Sequence, residues 1–232
     1  MLLTHNIQHV EDKVSRACAR AGRDRNDVQI IAVTKYVSVQ TTGQVLQQGL
    51  RHIGENRWQD AEPKWETFKD QGIWHFIGHL QTNKVKDVIG KFAYIHSLDR
   101  LSLAKEINKK AAALGIQVEC FIQLNISGEE TKYGMPPEEL SSFIEELQAL
   151  KQIRIIGLMT MAPYEEEPEL TRPVFRRLRE LRDELNQKQS LGYEIPHLSM
   201  GMSGDFEVAI EEGATWVRLG SILVGKEEIT WE

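Results

Sequence analysis

The chain has 232 residues, 41% of them hydrophobic and 27% charged, with a formal net charge of −6, an ordinary balance for a globular protein. Net acidity leaves no basic field to hold nucleic acid or an anionic membrane surface. No apolar run approaches the roughly 20 residues that span a bilayer.

The opening stretch MLLTHNIQHVEDKVSRACARAG scatters its apolar residues among Glu11, Asp12, Lys13 and Arg16, so it reads as a helix from Thr4 to Ala21 and not as a signal peptide. Gly22 ends it. Next comes VQIIAVTK (Val28 to Lys35), a short β-branched run of the kind buried on both faces. QTTGQVLQQGL is helical to about Gly49. HIGEN is a brief strand, RWQDAEPKWETF a helix, WHFIGHL a third strand and QTNKVKDVIGKF a third helix. AYIHSLD is a fourth strand, and Asp99 is placed to cap the helix LSLAKEINKKAAALG, which Gly115 closes. VECFIQLNI is the fifth strand. PPEELSSFIEELQAL follows as a helix with its prolines at the tolerated end. IRIIGLMTM is the sixth strand. PVFRRLRELRDELNQKQ carries Phe175, Leu178, Leu181 and Leu185 at helical spacing. IPHLSMG is the seventh strand, SGDFEVAIEEG a helix that Ser203 can cap, TWVRLG the eighth strand and SILVGKE a final turn.

Strands alternating with helices make parallel βαβ units. Eight of them in about 200 residues predict closure into a (β/α)8 TIM-type barrel with an extra N-terminal helix. The whole chain, 1–232, is expected to be one domain. After the eighth strand 12 residues remain, too few for a second. YEEEPE reads as a solvated loop. Cys18, in a polar helix, and Cys120, in an apolar run, read as free thiols in a reducing cytoplasm, with no disulfide framework or metal site.

Active sites of such barrels lie at the carboxyl ends of the strands. Two loops there, GMSGDF and RLGSILVG, follow strands seven and eight, where a phosphate site often forms. Ser203 and Gly204 on one loop, with Gly220 and Ser221 on the other, present backbone N–H groups that an anion could take. Each loop alone could be an ordinary strand-to-helix turn. Lys35 ends the first strand, which closes against the eighth. By itself it would be a strand-ending lysine reaching solvent. Facing a phosphate site, it is either a counter-charge or a nucleophile toward a carbonyl. Pyridoxal 5′-phosphate (PLP) has both an aldehyde and a phosphate. Arg218 is either the donor to a pyridine nitrogen or one half of an interior salt bridge.

IAVTKY, HIGENRWQD, HFIGHLQTNK, HSLDR, QLNISGEETKYG, GLMTMAP, HLSMGMSGDF and VRLGSILVG resemble, in order and over nearly the whole chain, the signatures of the pyridoxal phosphate homeostasis proteins. That family is similar to the barrel domain of alanine racemase and of bacterial ornithine decarboxylase-type enzymes, the fold-type III PLP barrel. The resemblance implies PLP held as an aldimine on Lys35, its phosphate on Ser203, Gly204, Gly220 and Ser221, and Arg218 facing the pyridine nitrogen. It also implies Asn56 and His79 beside the cofactor, and Met159, Ser199 and Met200 lining the ring. Many members have Pro where His79 stands and Phe where Val224 stands.

Two functions compete. A carrier would hold PLP and buffer or supply it, meeting PLP-dependent apo-enzymes transiently. A racemase or decarboxylase would use it. A racemase needs a second base opposite Lys35. Tyr36 follows Lys35 and should point the other way on strand alternation, which leaves Tyr133 as the best candidate. An arginine at the pyridine nitrogen also makes the ring a weaker electron sink. The carrier is favoured, as a cytoplasmic monomer. A phosphosugar-handling barrel enzyme would share the phosphate loops. Lys132, in the GEETKYG loop, reads as a solvated lysine or a secondary acceptor during cofactor release.

Overall fold

The computed structural model describes residues 2–129, 131–165 and 167–225. Parts of the GEETKYG loop (Glu130), the YEEEPE loop (Glu166) and the SILVGKE turn (Lys226, Glu227) lie outside the described residues, as do the last residues of the 12 that follow the eighth strand.

Helix α1 (Leu2–Arg20) precedes strand β1 (Gln29–Val33), and strands and helices then alternate: α2 (Val39–Gln47), β2 (His52–Glu55), α3 (Trp58–Phe68), β3 (Ile73–Phe76), α4 (Val85–Val88), β4 (Tyr94–Leu98), α5 (Leu101–Leu114), β5 (Val118–Gln123), α6 (Leu140–Leu147), β6 (Ile153–Met159), α7 (Arg172–Gln187), β7 (His197–Ser199), α8 (Phe206–Glu211), β8 (Trp216–Leu219) and α9 (Ser221–Val224). The eight strands pair in sequence order, all parallel, and β1 meets β8 to close the expected (β/α)8 barrel. In that seam Ile31 sits beside Arg218 and Ala32 beside Leu219.

Alternation along the strands divides the core in two. Ile30, Ala32, Ile53, Ile95, Ile122, Leu158, Leu198, Val217 and Leu219 face outward, where they pack under the helices with Phe175, Leu178, Leu181 and Leu185 of α7. Ile31, Phe121, Ile156, Met159 and Trp216 fill the barrel. Helix α1 packs on α8 and α9 through Val10, Val14, Ala17 and Cys18. Cys18 therefore faces the core and not a polar surface. Both cysteines are buried and free, and burial pushes both thiols up.

Three local expectations are corrected. The third helix shrinks to a 3-10 turn (Thr82–Lys84) and the one-turn α4, because Gly90 turns back at φ +82°. Asp99 does not cap α5. Arg100 holds that position without a side-chain cap, and Asp99 Oδ1 instead accepts from Arg100 Nη1 at 2.7 Å. Ser203 does not cap α8, which starts three residues later with Asp205 before it. Gly115 ends α5 in the left-handed conformation, φ 65°, as expected.

The barrel interior also holds imidazoles. His75 and His96 are fully buried, and His52 and His197 are half-buried around Trp216. Burial pushes all four below the usual histidine range, His75 and His96 well below. A histidine that resists protonation only when folded stabilises the fold above its unfolded pKa, and that stability is lost as pH falls toward the folded value. Between pH 7 and 5, the urea midpoint is expected to fall. The limiting slope is about 1.4 kcal/mol per pH unit for each histidine that the unfolded chain alone protonates. A midpoint independent of pH across that window would contradict neutral, buried imidazoles.

Candidate functional site

A cavity of about 840 Å³ opens at the carboxyl ends of the strands, within the usual size range of ligand sites. Lys35, Asn56, His79 and Arg218 line it, and the loops after β7 and β8 add Ser203, Gly204, Gly220 and Ser221. These are the residues that the reading of the strand ends had singled out.

Lys35 stands two residues past the end of β1, in a turn and not on the strand itself. Alternation no longer applies there, and its Nζ lies 4.8 Å from the centroid of the Tyr36 ring. Tyr36 thus does not point away from it. The turn is tied down from below. Lys64, on α3, donates to the Thr34 carbonyl at 2.6 Å and to Glu55 Oε1 at 3.0 Å, and the Thr34 hydroxyl donates to the same carboxylate oxygen. All three side chains are buried. Burial pushes the Glu55 carboxyl up, and the Lys64 charge pulls it back. Sequence reasoning missed this latch. Its signal was a lysine on the buried stripe of α3, with Trp58 and Ala61.

Arg218 is buried. Its Nη1 donates to Ser199 Oγ at 2.6 Å and its Nη2 to the Thr160 carbonyl at 2.9 Å. Burial draws its pKa down to about 10, against the pull of the Asp205 carboxylate, which leaves it a cation at neutral pH. None of the ion pairs among the described residues includes Arg218, which removes the salt-bridge alternative. Asp205, also missed, lines the cavity and accepts from the Met202 N–H at 2.6 Å, bracing the loop after β7. Ser203 Oγ joins the two loops by accepting from the N–H groups of Gly220 (3.3 Å) and Ile222 (3.5 Å).

On the opposite lip, a Cβ on Gly78 would lie 2.4 Å from the Asn56 carbonyl oxygen, so only glycine lets the ends of β2 and β3 meet this closely. Asn56 Oδ1 and His79 Nδ1 are buried without a hydrogen-bond partner. The His79 ring stacks on Tyr133, centroids 4.2 Å apart. Its Nδ1 is 3.8 Å from Asp99 Oδ2. Gln123 lines the cavity too, its Nε2 donating to the Tyr133 carbonyl at 3.1 Å. The inward register of β5, shared with Phe121, was the overlooked signal.

Three expected ring contacts lie elsewhere. Met159 and Ser199 point inward but one layer lower, Met159 among the interior apolar side chains and Ser199 beneath Arg218. Met200 points to the other face, into the core under the helices. None of them lines the cavity. Lys132 is not a solvated lysine. Its side chain is 19% exposed, with Nζ 3.2 Å from Glu129 Oε2.

The latch carries a prediction. Lys64→Ala leaves Glu55 buried without its cation and is expected to cost about 3–5 kcal/mol in urea denaturation. Pairing it with Glu55→Leu should recover most of the loss. Additive losses in the double variant would show that the two groups do not act together.

Comparison with known proteins places the chain. The model of the alanine racemase N-terminal domain family matches residues 3–228. A pyridoxal phosphate homeostasis protein of Aquifex aeolicus is 48% identical over 223 residues, 96% of this chain and 97% of that relative. One from Pseudomonas aeruginosa is 37% identical over 227 residues, 97% of this chain and 96% of the relative. The solved structure of PipY from Synechococcus elongatus, with PLP bound, superposes with a TM-score of 0.81 at 33% identity, covering 92% of this chain and all of that one. On these similarities the chain belongs to the pyridoxal phosphate homeostasis proteins, within the alanine racemase N-terminal domain family.

Proposed function

We propose that the protein binds PLP covalently through Lys35 and serves intracellular vitamin B6 homeostasis, buffering the cofactor and supplying it to PLP-dependent apo-enzymes that it meets transiently. The observation that carries this reading is the meeting, in one cavity, of a primary amine, a buried cation and two N–H-bearing loops. PLP brings an aldehyde carbon that condenses with an amine, an anionic phosphate and an electron-withdrawing ring. The cavity has a complement to each. Lys35 Nζ is the amine. The loops of Ser203, Gly204, Gly220 and Ser221 hold the phosphate, and at Gly204 a side chain would meet nothing within 4 Å, leaving space for it. Arg218 donates to the pyridine nitrogen and, always protonated at neutral pH, keeps that nitrogen free of a proton. The unpartnered Asn56 Oδ1 and His79 Nδ1 supply polar contacts at the ring's edge.

The same residues favour holding over using. A racemase needs a second base, and the tyrosines near the cavity are poorly set for it: Tyr133 is 55% exposed with its ring against His79, Tyr164 is 93% exposed, and Tyr36 is exposed beside Lys35 itself. An arginine at the ring nitrogen weakens carbanion stabilisation, which disfavours decarboxylation as well. The protein acts as a non-catalytic carrier, and as a cytoplasmic monomer. Relatives at 48% and 37% identity are homeostasis proteins, which supports the same side.

The purified protein incubated with PLP is expected to absorb as a lysine-bound cofactor. Borohydride should then fix one equivalent, which peptide mapping places on Lys35. Lys35→Ala should remove both signals. A phosphosugar-handling barrel would give no chromophore, and robust turnover of any free amino acid by the loaded protein would overturn the carrier reading.

A further inference from the structure

Beneath Arg218 the barrel contains a single file of hydrogen-bonded groups. His52 Nδ1 lies 3.0 Å from His75 Nε2, His75 Nδ1 lies 3.0 Å from His96 Nε2, and His96 Nδ1 lies 2.8 Å from Ser199 Oγ. Arg218 Nη1 meets the same oxygen at 2.6 Å. The file runs the length of the barrel. His52 opens β2 and borders a surface cleft with Arg51 at the amino ends of the strands, whereas Arg218 lines the cavity at the carboxyl ends.

Counting protons gives the file a direction. A guanidinium only donates, so Arg218 takes a lone pair of Ser199 Oγ. The Ser199 hydroxyl has one proton to give, and His96 Nδ1 is the acceptor beside it. His96 then carries its own proton on Nε2 and donates to His75 Nδ1, and His75 donates from Nε2 to His52 Nδ1. Run the other way, His96 would donate to Ser199 and leave the serine proton without an acceptor. In the first arrangement every imidazole is neutral, the form that burial favours in all three. The negative ends of the successive dipoles then point at the arginine's charge, and each bond polarises the next.

Packing alone does not call for imidazoles here. Barrel interiors are filled mainly by Val, Ile and Leu. The ring of His96 stacks on Phe121, centroids 4.2 Å apart, in a setting that would accept a phenyl ring. What a phenyl ring lacks is the acceptor for Ser199.

We infer that His96, backed by His75 and His52, is a positioning residue: it holds the Ser199 hydroxyl with a lone pair on Arg218 and so fixes the plane in which the guanidinium meets the cofactor's ring nitrogen. The inference rests on the reading of the cavity as a PLP site. Two of the five guanidinium donors are spent on Ser199 and Thr160, and the orientation of the rest follows from them.

The test compares PLP with its carbocyclic analogue, in which CH replaces the pyridine nitrogen, in the Lys35→Ala background so that binding is reversible. The parent is expected to prefer PLP. His96→Phe keeps the stack on Phe121 but removes both nitrogens. It should cut that preference about tenfold, the worth of one well-aimed bond to a charged group, while binding of the analogue stays within about twofold, the scatter expected where no bond is lost. Ser199→Ala should do the same. His96→Asn, whose amide reaches the place of Nδ1, should restore the preference. A folded His96→Phe that keeps the full preference, or one that weakens both ligands equally, overturns the inference. So does a His96→Asn variant as impaired as His96→Phe. A parent that binds neither ligand sinks the PLP reading instead. An independent check needs no variant: nitrogen NMR of the unliganded protein should show His75 and His96 as Nε2–H tautomers, and an Nδ1–H proton on His96 would refute the file's direction.

Discussion

The pairing of β1 with β8 brings together the two strands that are farthest apart in sequence. Because Ile31 and Ala32 lie in register with Arg218 and Leu219, the segment leaving β1 at Val33 passes directly beside Gly220. A Cβ added there would touch Val33 Cβ at 3.5 Å. In an open sheet of the same order Lys35 and the loops after β7 and β8 would sit at opposite edges. Parallel closure needs both faces of every strand covered by apolar side chains, and the two-sided core of Ile, Val, Leu and Phe meets that need.

Inside this apolar shell the chain buries an unusual quantity of polar chemistry. An isolated buried polar group would cost free energy, and it is tolerable only when partnered. The interior satisfies the rule by linking such groups end to end: His52, His75, His96, Ser199 and Arg218 within the barrel, and Glu55, Thr34 and Lys64 just outside β1 and β2. Both networks terminate on a residue that touches the cavity, Arg218 in one case and, through the Thr34 carbonyl, Lys35 in the other. Among the buried atoms left without a hydrogen bond, Asn56 Oδ1 and His79 Nδ1 belong to residues that line the cavity.

Strand periodicity made the barrel legible, and the rule that function gathers at the carboxyl ends made most of the cavity legible with it. The errors have local causes. Asp99 and Ser203 have good capping chemistry, but another partner claimed each first: the neighbouring Arg100 guanidinium for Asp99, and the distant N–H groups of Gly220 and Ile222 for Ser203. Met200 was misplaced because β7 ends at Ser199, and one residue reverses the direction of a side chain. The histidine file escaped notice because its members are scattered over β2, β3 and β4, each looking like an isolated polar residue. Only the inward register shared by HIGEN, WHF and IHS would have gathered them.

The latch beneath Lys35 has a kinetic meaning. With the Thr34 carbonyl held by Lys64, and Thr34 and Val37 bonded to each other across the turn at 3.1 Å, the root of the Lys35 side chain is fixed, and movement is left to its flexible four-carbon stem, whose amine lies beside the exposed ring of Tyr36. In the cofactor-holding role proposed above, the amine would be repositioned by rotation about side-chain bonds, which is a matter of nanoseconds, without the microsecond-to-millisecond displacement of a backbone segment. In that proposed role the slow step would be left to the chemistry of the carbon–nitrogen bond and to the encounter with a recipient.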